Sequence, residues 1–322
     1  MDKTELTLFN LGESLDNIAN IDPRGYGVCR LLYKASRELT GRPLCLNAAE
    51  KLIETLNKND TVFILTGFVL HPYGKAETDG TISSVLLANA LEKGIGANSV
   101  IICPEEAVNG IRAVCDYLCC SAEIITFTKD VSVAEYQSDK LISSYTPKAV
   151  ISIECPGEDK DGRYHNARGV DVTNLQAKQD VLFDKLKDKC VLNIAIGDLG
   201  NEIGMSAIAD CLKNEIPVIP ARTATDNIIT ATVSDWGCYS LIAMLSFMLD
   251  NPDLMHGGKM QKKVMNIACN NGLIDMNGGH IPAIDGLGEE ITSSIVDLMK
   301  ELVINTVRHR DICDYWFERI KG

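Results

Sequence analysis

Between residues 61 and 232 the chain alternates short apolar, β-branched runs with stretches of helical period, and few folds accommodate that alternation. The runs span 61–66, 99–103, 123–127, 149–153, 191–196, 217–220 and 228–232. Apolar residues at helical spacing fill 83–93, 105–119, 133–144, 174–188 and 203–213, with 236–249 as a last long helix. Strands of nearly continuous apolar character separated by helices predict a parallel sheet covered on both faces. The fold class is α/β: a mainly parallel sheet sandwiched by helices. Residues 1–60 read as a helical N-terminal segment packing on that sheet, with helices over 30–40 and 48–57 broken by Gly41-Arg42-Pro43. From about residue 252, Gly257-Gly258, Asn270-Asn271-Gly272, Asn277-Gly278-Gly279 and Gly286 punctuate a glycine-rich C-terminal extension, which ends in a helix over 289–308. This extension is expected to fold back over the sheet, with its loop covering a site. The plan is thus a helical segment over 1–60 and one α/β unit over 61–322.

Charge narrows the function classes. Thirty-one Lys and Arg against 44 Asp and Glu leave a net charge of −13, which excludes the basic footprint of a nucleic-acid binder and docking on an anionic membrane. No apolar run approaches the roughly 20 residues of a membrane span. Met1-Asp2-Lys3-Thr4-Glu5 has no basic region or apolar core of a signal peptide, so the expected location is the cytoplasm. The twelve cysteines are scattered without a Cys-x-x-Cys pair and read as reduced thiols. Cys115, Cys119 and Cys120 have no nearby His to complete a zinc site. Trp236, Trp316 and the apolar 238–249 helix supply either core or a subunit interface, so a homo-oligomer is compatible with the sequence.

In an open parallel sheet, ligands bind beyond the carboxyl ends of the strands. Carboxylates recur at that edge. Residues 61–66 lead to Gly67-Phe68 and then Glu77-Thr78-Asp79-Gly80; 149–153 lead to Glu154-Cys155-Pro156-Gly157. Residues 191–196 lead to Gly197-Asp198-Leu199-Gly200-Asn201-Glu202-Ile203-Gly204, while Asp226 follows the 217–220 run and Ser234-Asp235-Trp236-Gly237 follows 228–232. Glu77 and Asp79 read either as site groups or as solvated loop charges. Asp198 reads either as a ligand or as a helix N-cap, and Glu202 either as a ligand or as a first-turn acid. Glu154 closes a buried strand and needs a partner or a shifted pKa. Several carboxylates with the amide of Asn201 suit a hard cation, Mg²⁺, Mn²⁺ or Ca²⁺, rather than zinc. The five histidines form no ligand pair, and neither a Gly-x-Gly-x-x-Gly nor a Walker motif is present. Arg163 and Arg168, in the polar loop 159–173, have the chemistry to hold an anionic ligand or to pair with neighbouring Asp. His165 is either a proton carrier or a bonded loop histidine, and Thr173 is placed to cap the next helix.

Taken in order, Thr66-Gly67-Phe68, Glu77-Thr78-Asp79-Gly80, Glu154 with Pro156-Gly157, Asp161-Gly162-Arg163-Tyr164, Arg168-Gly169-Val170-Asp171, the string Gly197 to Met205 and Asp235-Trp236-Gly237 resemble the D-glutamate cyclase family. The likeness is to its stand-alone C-terminal cyclase-like domain and covers about residues 60–249. The resemblance implies a metal-dependent hydro-lyase of amino-acid metabolism that converts D-glutamate to 5-oxo-D-proline with loss of water. The strand-end placement of the carboxylates fits that chemistry, with manganese or magnesium expected on Glu154, Asp198, Asn201 and Glu202 and with Glu77 and Asp79 as catalytic acid–base groups. Gly67, Arg163, Arg168 and Asp235 fall on the substrate side, and the partner is a small acidic molecule. Two other readings use the same residues. One is a Mn²⁺- or Mg²⁺-dependent phosphatase acting on a small phosphate ester. The other is a non-enzymatic nucleotide or phosphate binder cradled by Gly197–Gly204.

Overall fold

The computed structural model describes residues 2–216, 218–309 and 319. Helices α1 (Lys3–Ala19), α2 (Val28–Thr40) and α3 (Leu44–Thr55) precede strand β1 (Thr61–Thr66). Asp2 and Glu5 start α1 with a reciprocal capping box: the Glu5 amide donates to Asp2 Oδ1 at 2.9 Å and the Asp2 amide to Glu5 Oε2 at 2.8 Å. A ribbon of β2 (Val69–Leu70) and β3 (Lys75–Ala76) then leads into α4 (Thr81–Gly94) and β4 (Asn98–Cys103). Next come α5 (Val108–Leu118), β5 (Glu123–Thr126), α6 (Val131–Tyr145), β6 (Ala149–Ile153), α7 (Gln179–Asp188) and β7 (Leu192–Gly197). After α8 (Ala209–Glu215), β8 (Asn227–Thr230) and α9 (Ser234–Met248) come α10 (Gly258–Asn270), the ribbon β9 (Ala283–Ile284) and β10 (Leu287–Gly288), and α11 (Glu289–Arg308).

Six strands form one parallel sheet in the order β5-β4-β1-β6-β7-β8. The chain starts in the middle at β1, runs outward to β5, and then crosses back to β6 on the other side. The order reverses between β1 and β6, so the crevice of a doubly wound sheet opens there. Strand alternation divides the core in two. Val62, Ile64, Ile101, Ile151 and Ile194 pack toward α9, α4 and the N-terminal helices, whereas Phe63, Leu65, Ile102 and Val150 pack toward α6 and α7. Helix α9 is buried on every side, from Ser234 to Phe247.

The expected α/β class and mainly parallel sheet are found, with several corrections. Residues 218–220 form no strand; Pro217 itself lies outside the described residues, and the prolines flanking this run lack the N–H a ladder needs. The 174–188 helix begins only at Gln179. Thr173 does not cap it: its hydroxyl donates to Asp171 Oδ1 at 2.6 Å and accepts the Tyr164 amide at 3.0 Å. The 203–213 stretch is a short 3₁₀ turn, Ser206–Ile208, followed by α8. The turn-rich reading after residue 252 missed α10, whose Val264, Met265 and Ala268 are buried at helical spacing. Trp236 is fully buried core, while Trp316 lies outside the described residues. No helix among the described residues is long and apolar enough to cross a membrane.

Candidate active site

The site grows from the carboxyl ends of β1, β6 and β7. Beyond β6 the backbone of Glu154 enters the left-handed region (φ 44°) while its amide donates to the Ile196 carbonyl at 3.1 Å. Such a backbone is uncommon for a residue with a side chain. Gly80 packs against this bend: a Cβ on it would meet the Ile153 carbonyl oxygen at 2.6 Å and Glu154 Cβ at 2.7 Å, and its φ is +72°. Only glycine fits there, and that close approach brings the Glu77–Gly80 segment up to Glu154.

Asp79 and Asp235 fasten two helix starts to each other. The Asp79 carboxylate accepts the amides of Ser234 (3.1 Å) and Asp235 (2.7 Å) at the head of α9. In return the Asp235 carboxylate accepts the amides of Gly80 (2.8 Å) and Ser83 (3.3 Å) at the head of α4, together with the Tyr239 hydroxyl at 2.8 Å. Both satisfy orphan N–H groups at helix N-termini. Beyond β7 the chain makes a turn, not a helix. Glu202 folds back to accept the amides of Asp198 (3.3 Å), Leu199 (2.9 Å) and Gly200 (2.6 Å). Asp198 is therefore no N-cap and Glu202 no first-turn acid; Glu202 closes the loop that carries Asp198 and Asn201.

A cavity of about 250 Å³ opens above these groups. Glu77, Asp79, Glu154, Asp198, Asn201 and Arg168 line it, with Tyr73 of the β2–β3 ribbon and Met276, Asn277 and Asp285 of the C-terminal extension. The extension is held in place where the Thr78 amide donates to the Ile274 carbonyl (2.9 Å) and the Thr78 hydroxyl to the Ala283 carbonyl (2.7 Å). Four of the singled-out residues are not brought to the cavity. Glu202 and Asp235 are buried behind it. Gly67 turns toward Pro104, whose Cδ would lie 2.6 Å from an added Cβ. Arg163 is about half exposed and pairs with Asp161 at 3.2 Å. His165 is buried beside Asp159, Nδ1 to Oδ2 3.5 Å, and its carbonyl accepts the Asn201 amide at 3.1 Å.

The electrostatics are those of crowded acids. Burial, and after it the Glu202 and Asp79 charges, holds the Glu154 carboxyl well above the ordinary range. Burial with Glu154 and Asp285 does the same to Asp198, burial with Asp235 and Asp285 to Asp79, and burial with Asp79 to Glu77. Asp198 Oδ2 and Asn201 Oδ1 are buried without a hydrogen-bond partner. One oxygen each of Glu154, Asp198 and Glu202 lie within 4.8 Å of one another. An all-oxygen set with orphaned acceptors has the donor chemistry of a hard-cation site.

Sequence reading missed two groups here, Arg24 and Asp285. Arg24 sits in the turn after α1 and forms an ion pair with Asp285. Nothing in Asp22-Pro23-Arg24-Gly25 signals that partner, and Ile284-Asp285-Gly286 reads locally as a turn.

The model of the D-glutamate cyclase-like C-terminal family matches residues 15–300. The chain belongs to this family. Among individual relatives of this cyclase-like chain is the human protein named D-glutamate cyclase, mitochondrial, 28% identical over 249 residues. That alignment covers 72% of this chain and 38% of the human protein, so the cyclase-like chain spans well under half of that relative. The matched range takes in β1 to β8 and the loops carrying Glu77, Asp79, Glu154, Asp198 and Asn201.

Proposed function

We propose that this chain cyclises D-glutamate to 5-oxo-D-proline with loss of water, with Mn²⁺ or Mg²⁺ bound by Glu154, Asp198 and Asn201 and with Glu202 bracing their loop. The observation that carries the reading is the pair of buried, unpartnered acceptors, Asp198 Oδ2 and Asn201 Oδ1, in a carboxylate-lined cavity. At about 250 Å³ the cavity falls just below the roughly 300–1,000 Å³ of common ligand clefts, which suits an amino-acid-sized molecule. A bound divalent cation supplies Lewis acidity and offsets the charge of the γ-carboxylate.

The chain's own groups do the rest. Ring closure forms a bond from the α-nitrogen to the γ-carbon and breaks one γ-carbon–oxygen bond. The ammonium gives up two protons, and the departing oxygen takes both to leave as water. Asp79 and Glu77, whose carboxyls burial and neighbouring charge hold well above their ordinary range, take a proton from nitrogen and return it to that oxygen. Arg168 at the mouth holds the α-carboxylate; Arg163 does not line the cavity and is left out of the mechanism. Phe68, Leu70 and Met276 narrow the cavity and limit the water that would reverse the reaction. On this reading the partner is a small acidic molecule.

The test is a proton NMR time course with D-glutamate, L-glutamate and a generic phosphate ester, each with and without Mn²⁺. Metal-dependent 5-oxo-D-proline from the D-form alone is the expected result. Phosphate release without cyclisation would move the reading to hydrolysis, and silence on all three would remove the assigned substrate.

A further inference from the structure

Asp198 belongs to two groups of three carboxylates. In one, its oxygens stand within 4.8 Å of Glu154 and Glu202; in the other, within the same distance of Asp79 and Asp285. Carboxylates shared in this way are the usual bridge in two-metal centres, where the ions sit about 3.5–4 Å apart. The two groups are not equivalent in this chain, because a side chain already enters the second. Arg24 forms an ion pair with the Asp285 carboxylate through Nη1, which also donates to the Asp285 carbonyl at 3.1 Å. Its Nη2 donates to the Thr232 carbonyl at 2.6 Å and stands 4.0 Å from Asp198 Oδ2. The guanidinium lies 5.0 Å from the centroid of the Tyr26 ring, and its side chain is 12% exposed. A guanidinium keeps its charge at any working pH, so this position is neutralised permanently. The Glu154–Asp198–Glu202 position has no hydrogen-bonded cation among the described residues; Arg24 approaches it only through Asp198 Oδ2, at 4.0 Å. Asp198 Oδ2, near Arg24 but not hydrogen-bonded to it, and Asn201 Oδ1 remain unpartnered on the cavity wall.

We infer that Arg24 is a built-in counter-cation that fills the Asp79–Asp198–Asp285 position, so that the site takes one divalent cation and not a pair. This rests on the metal reading above and adds its stoichiometry. The N-terminal segment thereby becomes part of the site: the turn after α1 supplies a charge that a second ion would otherwise supply.

The experiment counts Mn²⁺ on the full-length chain by equilibrium dialysis with metal analysis, and uses low-temperature EPR to detect spin coupling between adjacent ions. Wild type is expected to hold one Mn²⁺ without coupling, Arg24→Lys one, and Arg24→Met two with coupling. Two coupled ions in wild type, or one ion in a folded Arg24→Met, would overturn the inference while leaving the metal reading intact. No bound Mn²⁺ in any form would remove the metal reading and this inference with it. Asp285→Asn is a second arm should Arg24→Met fail to fold. It leaves Arg24 in place and is expected to keep one ion within tenfold of wild-type affinity; a fall from two ions to one identifies Asp285 as a ligand and refutes the single-ion site.

Discussion

Asp198 accepts no hydrogen bond on Oδ2 although it is buried, which makes that atom the first to test as a metal ligand. Asp198→Asn keeps the shape and removes the charge. Loss of an outer-shell group already weakens metal sites by about 10–100-fold, so Mn²⁺ affinity measured by calorimetry should fall at least tenfold and turnover with it; unchanged binding would sink the ligand assignment. A second buried acid, outside the cavity lining, bears on stability instead. Asp16 on α1 accepts the amides of Leu44 (2.6 Å) and Cys45 (3.1 Å) at the head of α3. Burial outweighs those bonds and pushes its carboxyl from 3.8 up to about 6. The folded chain therefore holds a proton that the unfolded chain has released, and the stability present below pH 3.8 is lost as pH rises through about 6. A shift of that size corresponds to on the order of 3 kcal/mol. Urea unfolding of wild type and Asp16→Asn across pH 4–7 should show the variant losing about that much less; parallel pH profiles would contradict the account.

At the scale of elements, the β-strands were legible because a strand buried on both faces has to be apolar along its length. The runs 61–66 and 149–153 coincide with β1 and β6 to the residue. Helix α9 was legible as apolar, yet the sequence could not say whether core or a neighbouring subunit covers it; α1, α3, α4 and α11 do. Helix α10 was hidden because it opens on Gly257-Gly258 and ends at Asn270-Asn271-Gly272, and those turn signals at both ends masked the helical spacing between them. The turn beyond β7 stayed open between two readings because a glycine-rich strand exit followed by an acid also looks like a helix start. Whether Glu202 caps a helix or closes its own turn depends on where its oxygens point. The packing of Gly80 onto the end of β6 makes a direct prediction. In Gly80→Ala the left-handed backbone costs roughly 1–2 kcal/mol, and the Cβ must also displace the Ile153 carbonyl or Glu154. Thermal denaturation should show a loss of several degrees, with cyclisation impaired beyond what the lost stability explains; a variant with wild-type Tm would refute the close approach.

At the scale of the whole molecule, the N-terminal helices are part of the core and of the site. Leu11, Leu15, Leu44 and Leu52 belong to the same buried cluster as α9 and the sheet. Uncovering such side chains costs roughly 1.5–3 kcal/mol each, which together rivals the 5–15 kcal/mol by which typical domains are stable. A chain lacking residues 2–56 should therefore be recovered insoluble or aggregated, as read by size-exclusion chromatography; a soluble, folded product would show that 57–322 stands alone. By itself the sequence determined the α/β class, most of the sheet, the edge at which the carboxylates gather and the family resemblance. Those follow from local periodicity and from acids placed directly after strands, both of which are short-range properties. Only the tertiary structure decided the strand order, the exclusion of Glu202, Asp235 and Gly67 from the cavity lining, and the meeting of Arg24 with Asp285. Those depend on contacts between residues as far as 261 positions apart, and a lone arginine or aspartate in a turn carries no local mark of the charge it will meet.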